Sequence, residues 1–255
     1  MERLNGKVAI VTGGGAGIGR ASALLMAGEG ATVVIADIDA DGAAATASQI
    51  QADGGTALAH PTDVSVEDEV EACIAATVAS FGRIDVLHNN AAYGRDDDLD
   101  VVDTPNDAWR AMLDTVLMAA VWGCRYAIPH MVQSGGGGSI INTSSGAARS
   151  ATGNHVAYAA AKGALEVLTM YTAATFGQDG VRCNAIAPGF VTTEKALELF
   201  SDEVLAGMRD RSAAGRLAEP DDVARLAVFL ASDESSYISG QVIACNAGGA
   251  RGTRW

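Results

Sequence analysis

Short apolar runs rich in β-branched residues alternate along the chain with longer, Ala-rich segments of helical character. The runs that predict strands are Val8–Thr12, Thr32–Asp37, Thr56–His60, Ile84–Asn89, Gly138–Thr143, Val181–Ile186 and Gln241–Cys245. The segments that predict helices lie near residues 17–29, 40–53, 66–81, 107–133, 157–177 and 221–231. Strands separated by helices are typical of βαβ units, whose helices cover both faces of a parallel sheet. The pattern continues without a linker, so we predict one α/β domain over residues 1–255 with a doubly wound parallel sheet of about seven strands.

Composition and charge agree with a packed domain and narrow its partners. Of the 255 residues, 49% are hydrophobic and 19% charged, which is enough apolar material for a sizeable core. The net charge of −14 disfavours nucleic acid and anionic membranes, because both attract basic surfaces. No run of about 18 apolar residues predicts a membrane span, and the N-terminus lacks the apolar stretch of a signal peptide. We therefore expect a cytoplasmic protein with no nucleic-acid or membrane partner.

Residue types that commonly bind metals do not form a predicted metal site. The cysteines are scattered, without CxxC or metal-type spacing, at Cys73, Cys124, Cys183 and Cys245. We expect free thiols rather than disulfides, and ordinary burial for those in apolar strands. The acidic run Asp96–Asp98 has no accompanying cluster of His or Glu, so we interpret it as a solvated loop.

A glycine-rich segment joins the first predicted strand to the first predicted helix. It contains Thr12-Gly13-Gly14-Gly15-Ala16-Gly17-Ile18-Gly19. Glycines allow a sharp turn and close approach of the backbone to a pyrophosphate, and the free N–H groups of a helix N-terminus attract its charge. A strand, a glycine loop and a helix in this order are the context that a Rossmann-type dinucleotide site requires. We assign to this site Gly13, Gly15, Gly17, Ile18 and Gly19.

Asp37 ends the second predicted strand, about 20 residues after the glycine loop, where the dinucleotide fingerprint has an acidic residue. A carboxylate there accepts hydrogen bonds from the adenosine ribose hydroxyls and repels a 2′-phosphate. Neither Ala16 nor Ile38 supplies a cation for such a phosphate. We therefore predict NAD as the cofactor, in preference to NADP.

Two further segments are predicted to lie against the cofactor. Asp63, followed by Val64, either contacts the adenine edge or caps the helix that starts near Ser65, with Asp68 completing a capping box. The sequence leaves both roles open. The segment Asn89-Asn90-Ala91-Ala92 follows the fourth predicted strand, and its small residues suit a backbone that lies against a ligand. Asn side chains also tolerate unusual turns, so we assign Asn90 and Ala91 to the cofactor site.

The predicted chemistry depends on Ser145, Tyr158 and Lys162. Tyr158 and Lys162 are separated by four positions, so they share one face of a helix. An ammonium near a phenol stabilises the phenolate, and we expect the pKa of Tyr158 to be lowered from its ordinary value of about 10. The phenol then exchanges a proton with a substrate oxygen near neutral pH, and a serine hydroxyl polarises the same oxygen.

Together these motifs resemble the short-chain dehydrogenase/reductase family along essentially the whole chain. The resemblance rests on Thr12–Gly19 as TGxxxGxG, on Asn89–Ala92 close to NNAG, on the spacing from Ser145 to Tyr158-x3-Lys162, and on Pro188-Gly189. It implies a NAD(H)-dependent oxidoreductase that interconverts a secondary alcohol and a ketone by hydride transfer.

The resemblance also implies roles for individual residues. Tyr158 is the general acid/base, Lys162 additionally holds the nicotinamide ribose, and Ser145 orients the substrate. The residues that it places near the nicotinamide are Asn184, Pro188, Gly189 and Val191, with Thr193 at the carboxamide end. A homotetramer is implied as well, with helices 107–133 and 157–177 packing against a neighbouring subunit.

The chain departs from the family pattern at Val116. Counting from Trp109 and back from Pro129 leads to Val116, where the family has a catalytic Asn that helps to hold a water between the lysine and solvent. A valine side chain neither donates nor accepts a hydrogen bond. A backbone carbonyl is still able to hold the water, so we expect activity to survive. A smaller departure is Ala92, where the family motif usually has Gly.

Substrate specificity is expected from a loop near residues 194–215 and from residues between Ser145 and Tyr158. Apolar residues in the loop form either a lid over the substrate or the internal contacts of a lid helix. One alternative function is a 3-oxoacyl-carrier-protein reductase, against which both Asp37 and the negative net charge argue. Another is a non-catalytic dinucleotide-binding sensor, which Val116 favours and the intact Ser145, Tyr158 and Lys162 disfavour.

Overall fold

The computed structural model describes residues 2–150 and 154–248. Its seven strands form one parallel sheet in the order β3-β2-β1-β4-β5-β6-β7. The strands are β1 (Val8–Thr12), β2 (Thr32–Asp37), β3 (Thr56–Pro61), β4 (Val86–Asn89), β5 (Gly138–Thr143), β6 (Val181–Pro188) and β7 (Val242–Cys245). The predicted doubly wound parallel sheet is confirmed, and each strand lies within a few residues of its predicted bounds.

Helices cover both faces of the sheet. They are α1 (Gly17–Gly28), α2 (Ala40–Ala52), α3 (Glu67–Phe81), α4 (Asn106–Met112), α5 (Ala119–Gln133), α6 (Val156–Phe176), α7 (Glu194–Leu199), α8 (Asp202–Arg211) and α9 (Pro220–Ala231). Along β2, Val33 and Ile35 pack in a core with α1, α2 and α9, whereas Val34 and Ala36 pack in a second core with α3, α5 and α6. Successive strand residues point to opposite faces, so a strand buried on both faces is apolar throughout, as the sequence pattern is.

The helix predicted over residues 107–133 is interrupted. A π-helical turn, Leu113–Met118, separates α4 from α5 and contains Val116. Such turns hold one residue more than an α-helical turn and are frequent at functional sites. The whole run Asn106–Gln133 is long and apolar enough to cross a membrane by length and composition, but half of its most apolar window is buried inside the protein. Packing in the core therefore accounts for about half of that apolar window.

All four cysteines are free thiols, as predicted. Burial raises the pKa of Cys73 to about 11 and that of Cys124 to about 12. Because the thiolate is the reactive form, these side chains behave as small apolar core residues.

The strand order reverses beside β1, which lies between β2 and β4. In open α/β sheets, ligands bind outside the carboxyl ends of the strands at such a reversal. The glycine-rich loop follows β1 directly, and the Asn89–Ala92 segment starts at the end of β4. The topology therefore brings two of the predicted cofactor segments together at one edge of the sheet.

Candidate active site

A cleft of about 880 Å³ opens at this edge of the sheet. The predicted site residues that line it are Gly13, Gly17, Ile18, Asp37, Asp63, Val64, Asn90, Ala91, Ser145, Tyr158, Lys162, Pro188, Gly189, Val191 and Thr193. Gly15 and Gly19 belong to the same loop but are not part of this lining. The predicted position of Asn184 near the nicotinamide is wrong. This residue is fully buried, and its side chain donates to the Ile238 carbonyl and accepts from the Gln241 N–H. It joins β6 to the segment before β7 instead of lining the cleft.

The glycine loop provides a cradle that side chains would fill. Gly17 has a φ of +51°, a left-handed conformation that favours glycine. A Cβ on Gly19 would overlap the Gly13 carbonyl oxygen. No side chain caps the N-terminus of α1, whose N-cap is Ala16, so its first N–H groups are available to a ligand. A close backbone and free amides suit the pyrophosphate of a dinucleotide.

Asp37 is held in place at the end of β2. Its Oδ2 accepts from the Gly15 N–H at 2.8 Å, and its Oδ1 accepts from the Asp39 N–H at 3.0 Å. Within the described lining of the cleft, the cationic side chains are Lys162 and Lys195, neither of which belongs to the segment around Asp37. The arrangement favours a neutral ribose over a ribose phosphate at this position.

Asp63 has a local structural role and also borders the cleft. Its Oδ1 accepts from the Ser65 N–H at 2.9 Å and from the Ser65 hydroxyl at 2.7 Å. The predicted capping box with Asp68 is wrong, because it is Glu69 whose carboxylate accepts from the Asp63 N–H, at 2.7 Å. The helix α3 starts only at Glu67, so Glu69, and not Asp68, reaches back to the turn.

The segment after β4 is tied to the glycine loop by hydrogen bonds to Thr12. The N–H groups of Asn90 and Ala91 donate to the Thr12 hydroxyl at 2.9 and 3.1 Å. The Asn90 side-chain amide donates to the Thr12 carbonyl at 3.0 Å. These bonds fix the two segments relative to each other, so Asn90 supports the cofactor loop in addition to lining the cleft.

His88 lies directly behind the site and was not singled out from the sequence. It is fully buried in β4, with Nε2 at 2.9 Å from the Thr143 hydroxyl. Burial, and secondarily the charge of Lys162, lowers the pKa of His88 to about 3, so its ring is neutral. Since Thr143 donates its hydroxyl proton to Asn90, the hydrogen-bond network assigns the ring proton to Nε2. A histidine inside an otherwise apolar strand is the sequence signal that points to such a residue.

Tyr158 and Lys162 lie one turn apart at the start of α6. The Lys162 Nζ lies 5.5 Å from the centroid of the Tyr158 ring and donates to the Thr143 carbonyl at 2.6 Å. Lys162 is only 2% exposed, and burial lowers its pKa to about 7. Ser145 follows β5, and its hydroxyl accepts from the Ala147 N–H at 3.1 Å. The three side chains predicted for the chemistry therefore meet at one end of the cleft.

The predicted lowering of the Tyr158 pKa is wrong for the protein alone. Burial raises the pKa of Tyr158, and a hydrogen bond with Ser145 opposes the rise only in part. Desolvation penalises the charged phenolate. The lysine ammonium is itself destabilised by burial, and it is directed at the Thr143 carbonyl.

The interpretation of Asp96–Asp98 as a solvated loop is wrong for Asp98. This residue is only 1% exposed. Its two carboxylate oxygens accept from the N–H groups of Ala157 and Tyr158, each at 2.9 Å. The first turn of α6 needs acceptors for its unpaired amides, and the loop after β4 supplies them.

The predicted specificity loop 194–215 contains two short helices, α7 and α8. Charged side chains of α7 line the cleft, namely Glu194, Lys195 and Glu198. Leu197 and Leu199 are 52% and 66% exposed, whereas Leu205 is buried. The apolar residues thus divide between an open surface and internal packing. Residues 151–153, within the predicted specificity segment between Ser145 and Tyr158, lie outside the described residues.

Comparisons with known proteins agree with this geometry. A family model described as Enoyl-(Acyl carrier protein) reductase matches residues 13–249. A short chain dehydrogenase/reductase from Aspergillus oryzae is 37% identical over 249 residues, which cover 96% of this chain and 95% of that protein. The chain belongs to the short-chain dehydrogenase/reductase family. The expected family resemblance is confirmed, and the family is one of oxidoreductases.

Two further members show what related short-chain dehydrogenases do. A cis-4-hydroxycyclohexanecarboxylate dehydrogenase from Sinomonas cyclohexanicum is 39% identical over 246 residues, 95% of this chain and 96% of that protein. A solved structure of a 7α-hydroxysteroid dehydrogenase, complexed with NADH and 7-oxo glycochenodeoxycholic acid, is 34% identical with a TM-score of 0.92. The match covers 99% of this chain and 98% of that one.

Val116, the predicted departure from the family pattern, is buried beside the site. It is 3% exposed and packs in a cluster with Met112, Ala157 and Leu165. Beside it lies a cavity of about 20 Å³, lined also by Thr115 and Lys162. A cavity of this size has room for about one water molecule. Val116 therefore packs between the π-helical turn and α6. The cavity that it lines is also lined by Lys162.

Proposed function

We propose that this short-chain dehydrogenase/reductase interconverts a secondary alcohol and a ketone with NAD(H), and that Tyr158 is the general acid/base. The observation that carries the proposal is the meeting of Ser145, Tyr158 and Lys162 at one end of a cleft whose other end is bordered by the glycine loop and Asp37.

The residues of the cleft fit NAD. The glycine loop and the uncapped N-terminus of α1 suit the pyrophosphate, and Asp37 suits the two hydroxyls of the adenosine ribose. When bound, NAD accepts or supplies the hydride. The NADH in the related 7α-hydroxysteroid dehydrogenase supports the same choice of cofactor.

The side chains of this protein manage the proton on the substrate oxygen. Ser145 donates a hydrogen bond to that oxygen and orients it, and Tyr158 accepts the proton of an alcohol or donates one to a ketone oxygen. The raised pKa of the buried phenol favours its protonated form, which is the form that reduction of a ketone needs. Lys162, with a pKa of about 7, exchanges its own proton near neutral pH and supports the phenolate when charged.

We further propose that the substrate carries its hydroxyl or keto group on an aliphatic ring. One related dehydrogenase is named for a hydroxycyclohexane carboxylate, and the related solved structure holds a 7-oxo steroid. In both compounds the reacting oxygen is on a carbocycle. The cleft of about 880 Å³ is roomy, which suits a bulky ring beside a dinucleotide.

A panel of alcohols tests both proposals. Formation of NADH would be followed by absorbance with substituted cyclohexanols, steroid alcohols, open-chain secondary alcohols and primary alcohols, and the matching ketones would be assayed with NADH. We expect the highest kcat/KM with a ring alcohol and the lowest with primary alcohols. A higher kcat/KM with open-chain alcohols contradicts the ring preference alone. Absence of turnover with every member contradicts the enzymatic proposal and favours a dinucleotide-binding sensor.

A second candidate function is an acyl-carrier-protein reductase, which the description of the matching family model favours. An acyl-carrier-protein reductase must attract an acidic carrier protein, whereas this chain has a net charge of −14. Reduction of an acyl-carrier-protein thioester substrate faster than that of any cyclic ketone would establish this second candidate.

We also propose that the protein forms a homotetramer. Three apolar side chains of α6 are largely exposed in the single chain: Val167 (48%), Met170 (47%) and Tyr171 (72%). An exposed apolar helix face is typical of a subunit contact. Light scattering coupled to size exclusion would give the mass of the assembly, and a monomer would contradict this proposal.

A further inference from the structure

Asp98 connects the loop after β4 to the first turn of the helix that carries Tyr158. One carboxylate oxygen accepts from the Ala157 N–H and the other from the Tyr158 N–H, both at 2.9 Å. The Asp98 carbonyl also accepts from the His155 N–H at 2.9 Å. A residue 60 positions earlier in the chain thus holds the backbone of Tyr158 itself.

The helix α6 lacks a local cap that could replace Asp98. Its N-cap residue, His155, has a left-handed φ of +80° and makes no side-chain capping bond. The first amides of a helix have no partners within the helix, so they depend on an acceptor from outside. A carboxylate is the strongest such acceptor and is also stabilised by the helix dipole. Asp98 therefore supplies acceptors that the N-cap residue of α6 does not provide.

The loop around Asp98 is itself braced. The Leu99 N–H donates to the Thr104 hydroxyl at 2.9 Å, and Arg95 pairs with Asp97 at 2.6 Å. The same loop carries Ala92 and Tyr93 on the wall of the cleft. The carboxylate of Asp98 consequently joins one wall of the cleft to the start of the catalytic helix.

We propose that Asp98 is a positioning residue for Tyr158, which holds the first turn of α6 so that the phenol lies within proton-transfer distance of the substrate oxygen. This inference rests on the proposed role of Tyr158 as general acid/base. Displacement of a reacting group by about 1 Å can reduce the rate by about 100-fold. Asp98 touches neither phenol nor substrate, so it acts on the rate of the chemical step through the backbone.

The test compares Asp98→Ala, Asp98→Asn and the control Asp96→Asn, which neutralises an exposed carboxylate in the same loop. Asn accepts one of the two amide bonds through its oxygen, whereas Ala accepts neither. We expect kcat to fall by about 100-fold in Asp98→Ala and by about 10-fold in Asp98→Asn. The KM and the dissociation constant of NADH, measured by fluorescence, should change by less than about threefold, because the glycine loop and Asp37 lie on β1, α1 and β2, away from Asp98. Asp96→Asn should behave as the wild type.

A purely structural role predicts different results. The proposal is overturned if Asp98→Ala keeps its kcat within about twofold of the wild type, or if activity and NADH binding are lost in the same proportion. Hydrogen exchange at the amides of Ala157 and Tyr158 gives a readout that does not need turnover. Faster exchange in Asp98→Ala than in Asp96→Asn supports the positioning bond, and equal exchange overturns it. Absence of turnover in the wild type with all alcohols contradicts the proposed function instead.

Discussion

The Thr143 carbonyl accepts a hydrogen bond from the Lys162 ammonium at 2.6 Å. The hydroxyl of the same threonine donates to the Asn90 side chain at 3.2 Å and accepts from His88. The end of β5 therefore connects the lysine of the chemical site with the asparagine that braces the glycine loop. We therefore expect a substitution at one end of the cleft to alter the hydrogen bonds at the other end through Thr143.

Tyr158→Phe is expected to lower kcat by at least about 100-fold, because general acid–base catalysis contributes about that factor or more. Binding of NADH should persist, since the phenol hydroxyl is not part of the glycine cradle. The measurement is turnover by absorbance together with NADH titration by fluorescence. The matched control is Tyr237→Phe, which removes the hydroxyl of a fully exposed tyrosine. Retention of most of the rate in Tyr158→Phe would show that another group transfers the proton.

The protein is expected to prefer NAD over NADP by at least about tenfold in kcat/KM, equivalent to about 1.4 kcal/mol. The cause is the repulsion between the Asp37 carboxylate and a 2′-phosphate. Asp37→Asn should narrow the preference, mainly by improving kcat/KM with NADP. Asp41→Asn, which neutralises an exposed carboxylate in α2, should leave the ratio unchanged. Equal kcat/KM for both cofactors in the wild type would contradict the role given to Asp37.

Val116→Asn is expected to lower the free energy of unfolding by about 1–3 kcal/mol, because it buries an amide in an apolar cluster. Turnover should change little, or rise modestly, because the adjacent cavity already has room for a water near Lys162. Urea unfolding and steady-state kinetics measure the two effects separately. A large loss of kcat in a stably folded variant would show that packing at this position controls the site geometry.

His88 is expected to make the protein acid-sensitive. Its pKa is about 3 in the folded protein and about 6.5 in an unfolded chain. The unfolded state takes up the proton first, so the free energy of unfolding falls as the pH decreases from about 6.5 towards about 3. His88→Gln removes this titration and keeps a donor for Thr143. Urea unfolding at pH 7 and at pH 5 should therefore show a larger loss for the wild type than for the variant. Equal losses would mean that other groups cause the acid sensitivity.

Much of the fold follows from local patterns in the sequence. Apolar strands such as Thr32–Asp37 alternate with helical segments, and each signal lies within a short stretch of chain. The cofactor loop is equally local, because the glycines, the strand before them and the helix after them are consecutive. The predicted bounds of the strands differ by only a few residues from those in the structure.

The features that were missed depend on contacts between distant parts of the chain. The buried carboxylate of Asp98 accepts from the first amides of α6, and nothing in an acidic triplet indicates that partner. The pKa of Tyr158 depends on burial of the phenol by several elements, which outweighs the local effect of a lysine one turn away. The π-helical turn at Leu113–Met118 has the same apolar composition as the α-helix around it, so periodicity does not distinguish the two.

That turn has a consequence for changes in chain length. A π turn arises when one residue is inserted into an α-helix. Deletion of a single residue within Leu113–Met118 would leave an uninterrupted helix whose two halves keep their rotational phase against the sheet. A deletion elsewhere in α4 or α5 would rotate the following side chains by about 100° and expose part of the core. The π-helical turn beside Lys162 is therefore the part of Asn106–Gln133 where deletion of one residue disturbs the packing least.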